Sequence, residues 1–185
     1  MVVPPRSDAP ADHPALVALL LDSGAVRFGD FTLASGQHSD VYVDIKRAWT
    51  DPLRLRTMGR ALAERTDGCD RLAGMELGAV PLVVAVALET GLPFAVIRKS
   101  AKAHGTQQRF EGDLPRGARV LLIEDVTTTG GSVVESIDVI RGAGARVDRV
   151  LTMVDRGAGA AEKLRALGVR LDALVTLDEL RGARA

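Results

Sequence analysis

The sequence predicts an α/β fold built on a mainly parallel β-sheet. From Arg71 onward, short continuous runs of Val, Ile and Leu alternate with stretches of helical pattern. Apolar strands separated by helices are typical of a parallel sheet whose two faces are both covered. The length of 185 residues and the apolar fraction of 46% fit one domain with its own core.

The chain begins with a segment that does not favour helix. Half of the eight prolines lie in the first 14 residues, so we expect residues 1–11 to be a disordered leader. Asp12 is a suitable N-cap for a helix with Leu16 and Leu20 on its apolar side. Gly24 suits the left-handed position beyond the end of that helix.

A hairpin and a further strand are predicted next. Val26 and Phe28 precede Gly29 and Asp30, and Phe31 and Leu33 follow them, which favours a hairpin turn at 29–30. The alternating segment 41–45 predicts another strand. Asp51 followed by Pro52 then indicates the start of a helix that runs toward Thr66.

The remaining elements follow from alternation along the chain. Strands are predicted at about 71–74, 94–98, 119–124, 147–154 and 171–175. Helices are predicted at about 79–90, 131–143 and 159–167. The interval from Arg98 to Arg119 shows no periodicity, and irregular segments of that length are often functional.

Composition argues against several classes of protein. The chain has 24 basic and 24 acidic residues and few aromatic ones, so no nucleic-acid partner is expected. Its longest apolar run, 79–88, is far shorter than a membrane span, and no membrane association is expected. With Cys69 as the single cysteine, a reducing, cytoplasmic location is the default.

Several common motifs are missing. No lysine follows a glycine as a P-loop requires, and no glycine run completes a dinucleotide fingerprint. Three separated histidines and one cysteine do not suggest a zinc quartet. No serine lies in a Gly-x-Ser-x-Gly elbow.

One segment, 120–132, carries a pattern with a chemical use. A buried strand ends in Glu124 and Asp125, and a run of small and hydroxylic residues then opens a helix: Val126, Thr127, Thr128, Thr129, Gly130, Gly131 and Ser132. Backbone N–H groups at a helix N-terminus bind phosphate, and paired carboxylates accept hydrogen bonds from sugar hydroxyls. The segment predicts a sugar-phosphate site, although a strand end followed by a capping turn is the simpler alternative.

This segment resembles the 5-phosphoribosyl-1-diphosphate (PRPP) motif of the type I phosphoribosyltransferases. The resemblance implies their α/β parallel-sheet fold with a small N-terminal hood. A single domain would then cover residues 12–185, with the hood mainly at 12–50 and the core at about 51–185.

The interval from residue 98 to residue 119 is basic. It contains six cations and two carboxylates, an excess of four positive charges that suits an anion: Arg98, Lys99, Lys102, Arg109, Arg116 and Arg119 against Glu111 and Asp113. It reads Arg-Lys-x-x-Lys-x-His-Gly and continues to Glu111-Gly112, a spacing that is similar to the catalytic loop of orotate phosphoribosyltransferases. By composition alone it would be a solvated surface loop. The resemblance implies that its cations contact the diphosphate of PRPP: Arg98, Lys99, Lys102 and His104. It also implies that Lys102 and His104, with Asp125, are catalytic.

Other segments resemble the base-binding parts of the same family. Segment 31–44 is similar to its hood, which implies that Tyr42 and Val43 line the pyrimidine pocket. Arg156, which follows a strand, resembles the arginine that holds the orotate carboxylate, and Thr128 the loop position that touches the base. Many members have lysine at Ala34 and near Leu77, so two usual diphosphate contacts are missing; Lys46 or the backbone at 77–78 are candidates to replace them.

The resemblance implies a complete reaction. Orotate and PRPP would give orotidine 5′-phosphate and diphosphate, with Mg²⁺ held mainly by the substrate and by no direct protein ligand. A homodimer with the loop shared across its interface is implied as well. Three alternatives stay open: a purine or uracil phosphoribosyltransferase, a PRPP-sensing regulator on the same fold, and a generic sugar-phosphate-binding domain.

Overall fold

The computed structural model describes residues 13–32, 38–100 and 108–184. The strands are β1 (Val26–Thr32), β2 (His38–Val43), β3 (Arg71–Met75), β4 (Phe94–Ile97), β5 (Phe110–Gly112), β6 (Arg119–Thr127), β7 (Arg146–Asp155) and β8 (Arg170–Thr176). The helices are α1 (His13–Asp22), α2 (Lys46–Trp49), α3 (Pro52–Ala63), α4 (Val80–Thr90), α5 (Gly131–Gly142), α6 (Ala160–Ala166) and α7 (Leu177–Gly182). No helix in these ranges combines the length and the apolar character needed to cross a membrane.

The core is a six-stranded sheet in the order β5-β4-β3-β6-β7-β8. All neighbouring strands pair in parallel except β4 and β5. Leu121 and Ile123 of β6 pack with helices α3 and α4, whereas Val120 and Leu122 pack with α5. This alternation buries both faces of the central strand, which confirms the predicted covered parallel sheet.

The hood contains a second, two-stranded sheet. Strands β1 and β2 pair antiparallel, with Val26 opposite Val43 and Phe31 opposite Ser39. The predicted turn at 29–30 is wrong, because β1 continues to Thr32 and these two residues occupy a shift in register instead. Glycine favours bulges as well as turns, so the local pattern did not separate the two. The connection between the strands lies outside the described residues.

Other predicted boundaries have mixed outcomes. Gly24 has a φ of 67°, as expected beyond α1, while Asp12 and the predicted leader lie outside the described residues. Helix α3 ends at Ala63 and not near Thr66. The sequence patterns missed three short elements, α2, β5 and α7, because such elements contain too few residues to show a period.

The start of α3 allows a test of the capping argument. The Asp51 carboxylate accepts hydrogen bonds from the backbone N–H groups of Leu53 and Arg54, both at 3.0 Å. We expect Asp51→Ala to lower the free energy of unfolding by about 1 kcal/mol, because two N–H groups lose their partner. Urea denaturation measures this. Asp138→Ala, on the exposed surface of α5, is the control, and an equal loss in both variants would contradict the capping role.

Candidate active site

The candidate active site lies at the carboxyl ends of the central parallel strands, where open α/β sheets bind their ligands. Strand β6 ends at Thr127, and α5 begins at Gly131. Gly130 has a φ of 75°, a left-handed conformation that favours glycine. Among the described side chains none caps this helix, so its first N–H groups are open to an anion.

A cleft of about 390 Å³ opens beside the acidic pair. Its lining comes from four chain segments: Lys46, residues 75–78, Lys99, and β6 with the start of α5. Gly78 lies against Asp125, since a Cβ at Gly78 would lie 2.6 Å from the Asp125 carboxyl carbon. Only glycine therefore fits beside this carboxylate as it is placed here.

The two carboxylates have different surroundings. Glu124 is only 6% exposed, and its Oε2 atom is buried with no partner among the described residues. Burial raises the pKa of Glu124 well above its usual value, and the neighbouring Asp125 carboxylate raises it further. Asp125 is less buried and accepts a hydrogen bond from the Val126 N–H at 2.9 Å. Glu124 therefore presents a buried acceptor oxygen whose negative charge is costly until a ligand donates a hydrogen bond to it.

The raised pKa of Glu124 has a measurable consequence for stability. Folded protein holds this proton to higher pH than unfolded chain does, so the stabilisation is complete below the unfolded pKa and is lost as pH rises through the folded pKa. We expect wild type to lose stability relative to Glu124→Gln as pH rises from about 4.3, the pKa of glutamate in an unfolded chain, by up to about 1.4 kcal/mol per pH unit.

Thermal unfolding across this range measures the difference. Glu162→Gln, an exposed change on α6, should run parallel to wild type. If the stabilities of Glu124→Gln and wild type changed with pH in parallel, the buried carboxyl would not destabilise the folded protein in a pH-dependent way.

The ends of β6 and β7 are tied to each other. The Thr127 hydroxyl is buried and donates to Asp155 Oδ1 at 2.8 Å, and the Arg156 N–H donates to the Thr127 carbonyl at 3.0 Å. Gly157 N–H donates to the same Asp155 oxygen at 3.2 Å. Thr127 thus uses its hydroxyl inside the protein, while Thr128 and Thr129 are more accessible.

Arg156 connects the core to the hood. Its Nη2 donates to Ser39 Oγ at 3.2 Å, and the Ser39 hydroxyl donates to the Val41 carbonyl at 2.7 Å. In the same strand, the Tyr42 ring lies beneath the Arg27 guanidinium, and the guanidinium carbon is 5.0 Å from the centroid of this ring. Val43 packs against the core. The structure thus joins the predicted base-binding arginine to the hood strand that was predicted to line the base pocket.

The basic interval is only partly directed at the cleft. Lys99 lines the cleft, whereas Arg98 Nη1 donates to Glu111 at 3.2 Å and the Arg109 guanidinium lies 3.3 Å from Glu135. The charge count of this interval therefore overstates the cations that are open to a ligand. Lys102 and His104 lie outside the described residues.

The sequence analysis gave no role to Glu76 in the cleft, and it named Lys46 only as a candidate to replace a missing diphosphate contact. Lys46 lines the cleft, and the Asp44 carboxylate, 2.6 Å from its ammonium in an ion pair, raises the pKa of Lys46. Glu76 follows β3, and its carboxylate accepts the Lys99 N–H at 2.9 Å. Glu76 could have been found from topology, because β3 is the neighbour of β6 and the carboxyl ends of parallel strands lie together.

The comparisons with known proteins agree with this geometry. Residues 52–171 match the family model of the phosphoribosyl transferase domain, so the fold and the site together define a phosphoribosyltransferase. An orotate phosphoribosyltransferase of Methanosarcina mazei is 52% identical over 167 residues, which cover 89% of each chain. The chain belongs to the orotate phosphoribosyltransferase family.

Solved structures give the same result. The orotate phosphoribosyltransferase of Aeropyrum pernix is 38% identical, with a TM-score of 0.83 and coverage of 91% of this chain and 97% of that one. A Mycobacterium tuberculosis orotate phosphoribosyltransferase in complex with PRPP is 32% identical, with a TM-score of 0.76 and coverage of 91% and 98%. The predicted fold class and family are thereby confirmed.

Proposed function

We propose that the protein is an enzyme that transfers the phosphoribosyl group of PRPP to orotate, giving orotidine 5′-phosphate and diphosphate in pyrimidine biosynthesis. The observation that carries this proposal is the meeting of three features at one sheet edge. These are the acidic pair of β6, the open N-terminus of α5, and Arg156 at the end of the adjacent strand. They fit, in turn, a ribose, its 5′-phosphate and a base with a carboxylate.

PRPP binding uses the β6–α5 segment. The N–H groups and hydroxyls of 127–132 hold the 5′-phosphate, and Glu124 and Asp125 accept hydrogen bonds from the ribose hydroxyls. Lys99, Lys102 and His104 supply positive charge to the diphosphate, with Lys46 as a further cation at the cleft. Arg98 is paired with Glu111 and does not line the cleft. Displacement at the anomeric carbon passes through an oxocarbenium-like state, so the protein contributes positioning and charge stabilisation.

The base is held on the hood side of the site. The Arg156 guanidinium is planar and matches a carboxylate with two parallel hydrogen bonds. Thr128 contacts the base from the loop, and Tyr42 and Val43 contribute the hood side of the pocket. Closure of the basic loop excludes water and limits hydrolysis of PRPP.

Mg²⁺ fits this site as a substrate-carried ion. The part of the chain that the structure describes contains no group of three His, Cys, Asp or Glu side chains placed to hold a metal. The unpartnered Glu124 oxygen and the Asp125 carboxylate suit the outer hydration and hydroxyl ligands of an ion bound to PRPP. When bound, such an ion would supply positive charge to the diphosphate.

The proposed function is tested with a panel of bases. Purified protein is mixed with PRPP, Mg²⁺ and either orotate, uracil, adenine or hypoxanthine, and base consumption is followed by absorbance. We expect consumption of orotate alone. Activity with uracil or a purine but not orotate would identify another phosphoribosyltransferase, and binding of PRPP without any turnover would favour the regulator.

Arg156 gives a prediction about base selection. Arg156→Lys replaces a two-point contact by a single charge, so we expect kcat/KM for orotate to fall by about 10- to 100-fold, with KM for PRPP little changed. Steady-state kinetics with each substrate varied separately measure this. Arg170→Lys, at the amino end of β8 and therefore at the end of the sheet away from the site, is the matched control. If Arg156→Lys lost affinity for PRPP as much as for orotate, a base-specific role would be contradicted.

We further propose a homodimer in the cytoplasm. The resemblance of the basic loop supports a shared dimer interface, and the free thiol of Cys69 suits a reducing compartment. Light scattering of the purified protein tests the dimer directly.

A further inference from the structure

The basic loop leaves the sheet through a narrow base formed by residues 98, 99 and 109, which we call the neck. Strands β4 and β5 pair antiparallel, with Ile97 opposite Phe110. The Arg98 N–H then donates to the Arg109 carbonyl at 2.8 Å, one step beyond that pair. The backbone therefore joins the two ends of the loop where it meets the sheet.

The Arg109 side chain reinforces the neck. Its Nη2 lies 2.8 Å from the Lys99 carbonyl, 3.4 Å from the Arg98 carbonyl and 3.3 Å from Glu135 Oε2. Glu135 belongs to α5, the helix whose N-terminus forms the phosphate site. Arg109 thus links the outgoing end of the loop to the helix that anchors the substrate.

The other side of Lys99 is held as well. Its N–H donates to the Glu76 carboxylate at 2.9 Å, while its carbonyl accepts from Arg109. Both backbone groups of this one residue are therefore bound by charged side chains, and charge-assisted hydrogen bonds are the stronger kind. The Lys99 side chain lines the cleft beside Glu124.

We propose that Arg109 is a positioning residue, which holds the Lys99 peptide against α5 so that the Lys99 ammonium stays in the cleft and meets the diphosphate. The proposal rests on the proposed function for the identity of the diphosphate. It differs from the expectation drawn from charge, in which Arg109 is one of the loop cations that attract an anion.

The position of Arg109 distinguishes a positioning role from a role in attracting the anion. Arg109 does not line the cleft of the acidic pair, and it borders a different groove between β5 and α5, with Phe110 and Val139. Its Nη2 has two hydrogens and already faces three acceptors. This nitrogen therefore has no hydrogen left for a diphosphate, and the Nε of the same guanidinium is buried away from solvent.

Two substitutions give opposite expectations for the two roles. Glu135→Gln removes a negative charge and loosens the neck. If Arg109 positions Lys99, diphosphate should bind about three- to fivefold more weakly. If Arg109 instead attracts the diphosphate by its charge, diphosphate should bind more tightly. Arg109→Lys keeps the charge but cannot span the same acceptors. A positioning role for Arg109 predicts that the affinity for diphosphate falls about tenfold. A role in charge attraction predicts little change in this affinity. Arg146→Gln, exposed at the amino end of β7, controls for loss of a distant charge.

Each variant is measured in two ways: calorimetric titration with inorganic diphosphate and Mg²⁺, and steady-state kinetics in which PRPP and orotate are each varied while the other is saturating. Thermal unfolding confirms that the variants are folded. We expect Glu135→Gln and Arg109→Lys both to bind diphosphate more weakly and to lose kcat/KM for PRPP, with KM for orotate unchanged.

Tighter diphosphate binding by Glu135→Gln, or variants indistinguishable from Arg146→Gln, would overturn the proposal, as would a wild type that binds no diphosphate. If the diphosphate pattern holds but wild type does not consume orotate, the positioning role stands and the assigned base is wrong.

Discussion

Asp125→Ala is expected to lower kcat/KM for PRPP by about 100- to 1000-fold, a loss comparable with removal of one preorganised group that stabilises a transition state. The carboxylate lines the cleft beside Glu124 and is fixed by the Val126 N–H, so it is oriented before substrate arrives. In the proposed function, the ribose of PRPP then loses a charged acceptor, and Glu124 alone positions the sugar. Kinetics with PRPP varied at saturating orotate measure the effect.

Gly78→Ala tests the same carboxylate by a different route. The added Cβ would lie 2.6 Å from the Asp125 carboxyl carbon and 2.9 Å from its Oδ1, closer than real contacts allow, so the carboxylate has to move. We expect a loss of kcat/KM for PRPP in the same direction as for Asp125→Ala. At Gly142 an added Cβ meets nothing within 4 Å, and Gly142→Ala is the matched control. Full activity of Gly78→Ala would show that the placement of Asp125 is not critical.

Lys102→Ala is expected to lower kcat by about 100- to 1000-fold, with orotate binding weakened far less. This expectation rests on the family resemblance of the basic loop, because the lysine lies outside the described residues. The departing diphosphate develops negative charge in the transition state, and a cation that closes over it acts mainly on that state. A change of this kind appears in kcat and not in the affinity for the other substrate.

The matched control for this variant is Lys163→Ala, which removes an exposed lysine from α6. Single-turnover measurements separate loss of chemistry from slower product release. A Lys102→Ala variant with near-normal turnover would remove the catalytic role of the loop lysine, while leaving the assignments of Asp125 and Arg156 untouched.

Much of the core fold was predictable from the sequence because its signals are local. Each of the five parallel strands was located from an apolar run, and Asp51-Pro52 marked the start of α3. Local signals failed where a residue type serves two purposes, as at Gly29, which lies at a register shift and not in a turn. They also failed for the three-residue strand β5, whose partner β4 is separated from it by the basic interval.

The site was predictable in part for a similar reason. The acidic pair and the phosphate loop are contiguous, so residues 124–132 carry a recognisable pattern. The sequence alone assigned no role to Glu76, and it counted Arg98 and Arg109 as open cations. Their partners Lys99, Glu111 and Glu135 are set by strand pairing and helix placement and not by spacing along the chain.

The sequence by itself determined the parallel α/β sheet, the acidic strand end with the helix that follows it, and the family to which these belong. Only the tertiary structure decided that Gly78 fits against Asp125, that Thr127 and Asp155 tie two strand ends together, and that Arg109 holds the base of the basic loop. The physical reason is the range of the interactions. Periodicity and capping act within a few residues, whereas these contacts join segments that become neighbours only when parallel strands end at one edge of the sheet.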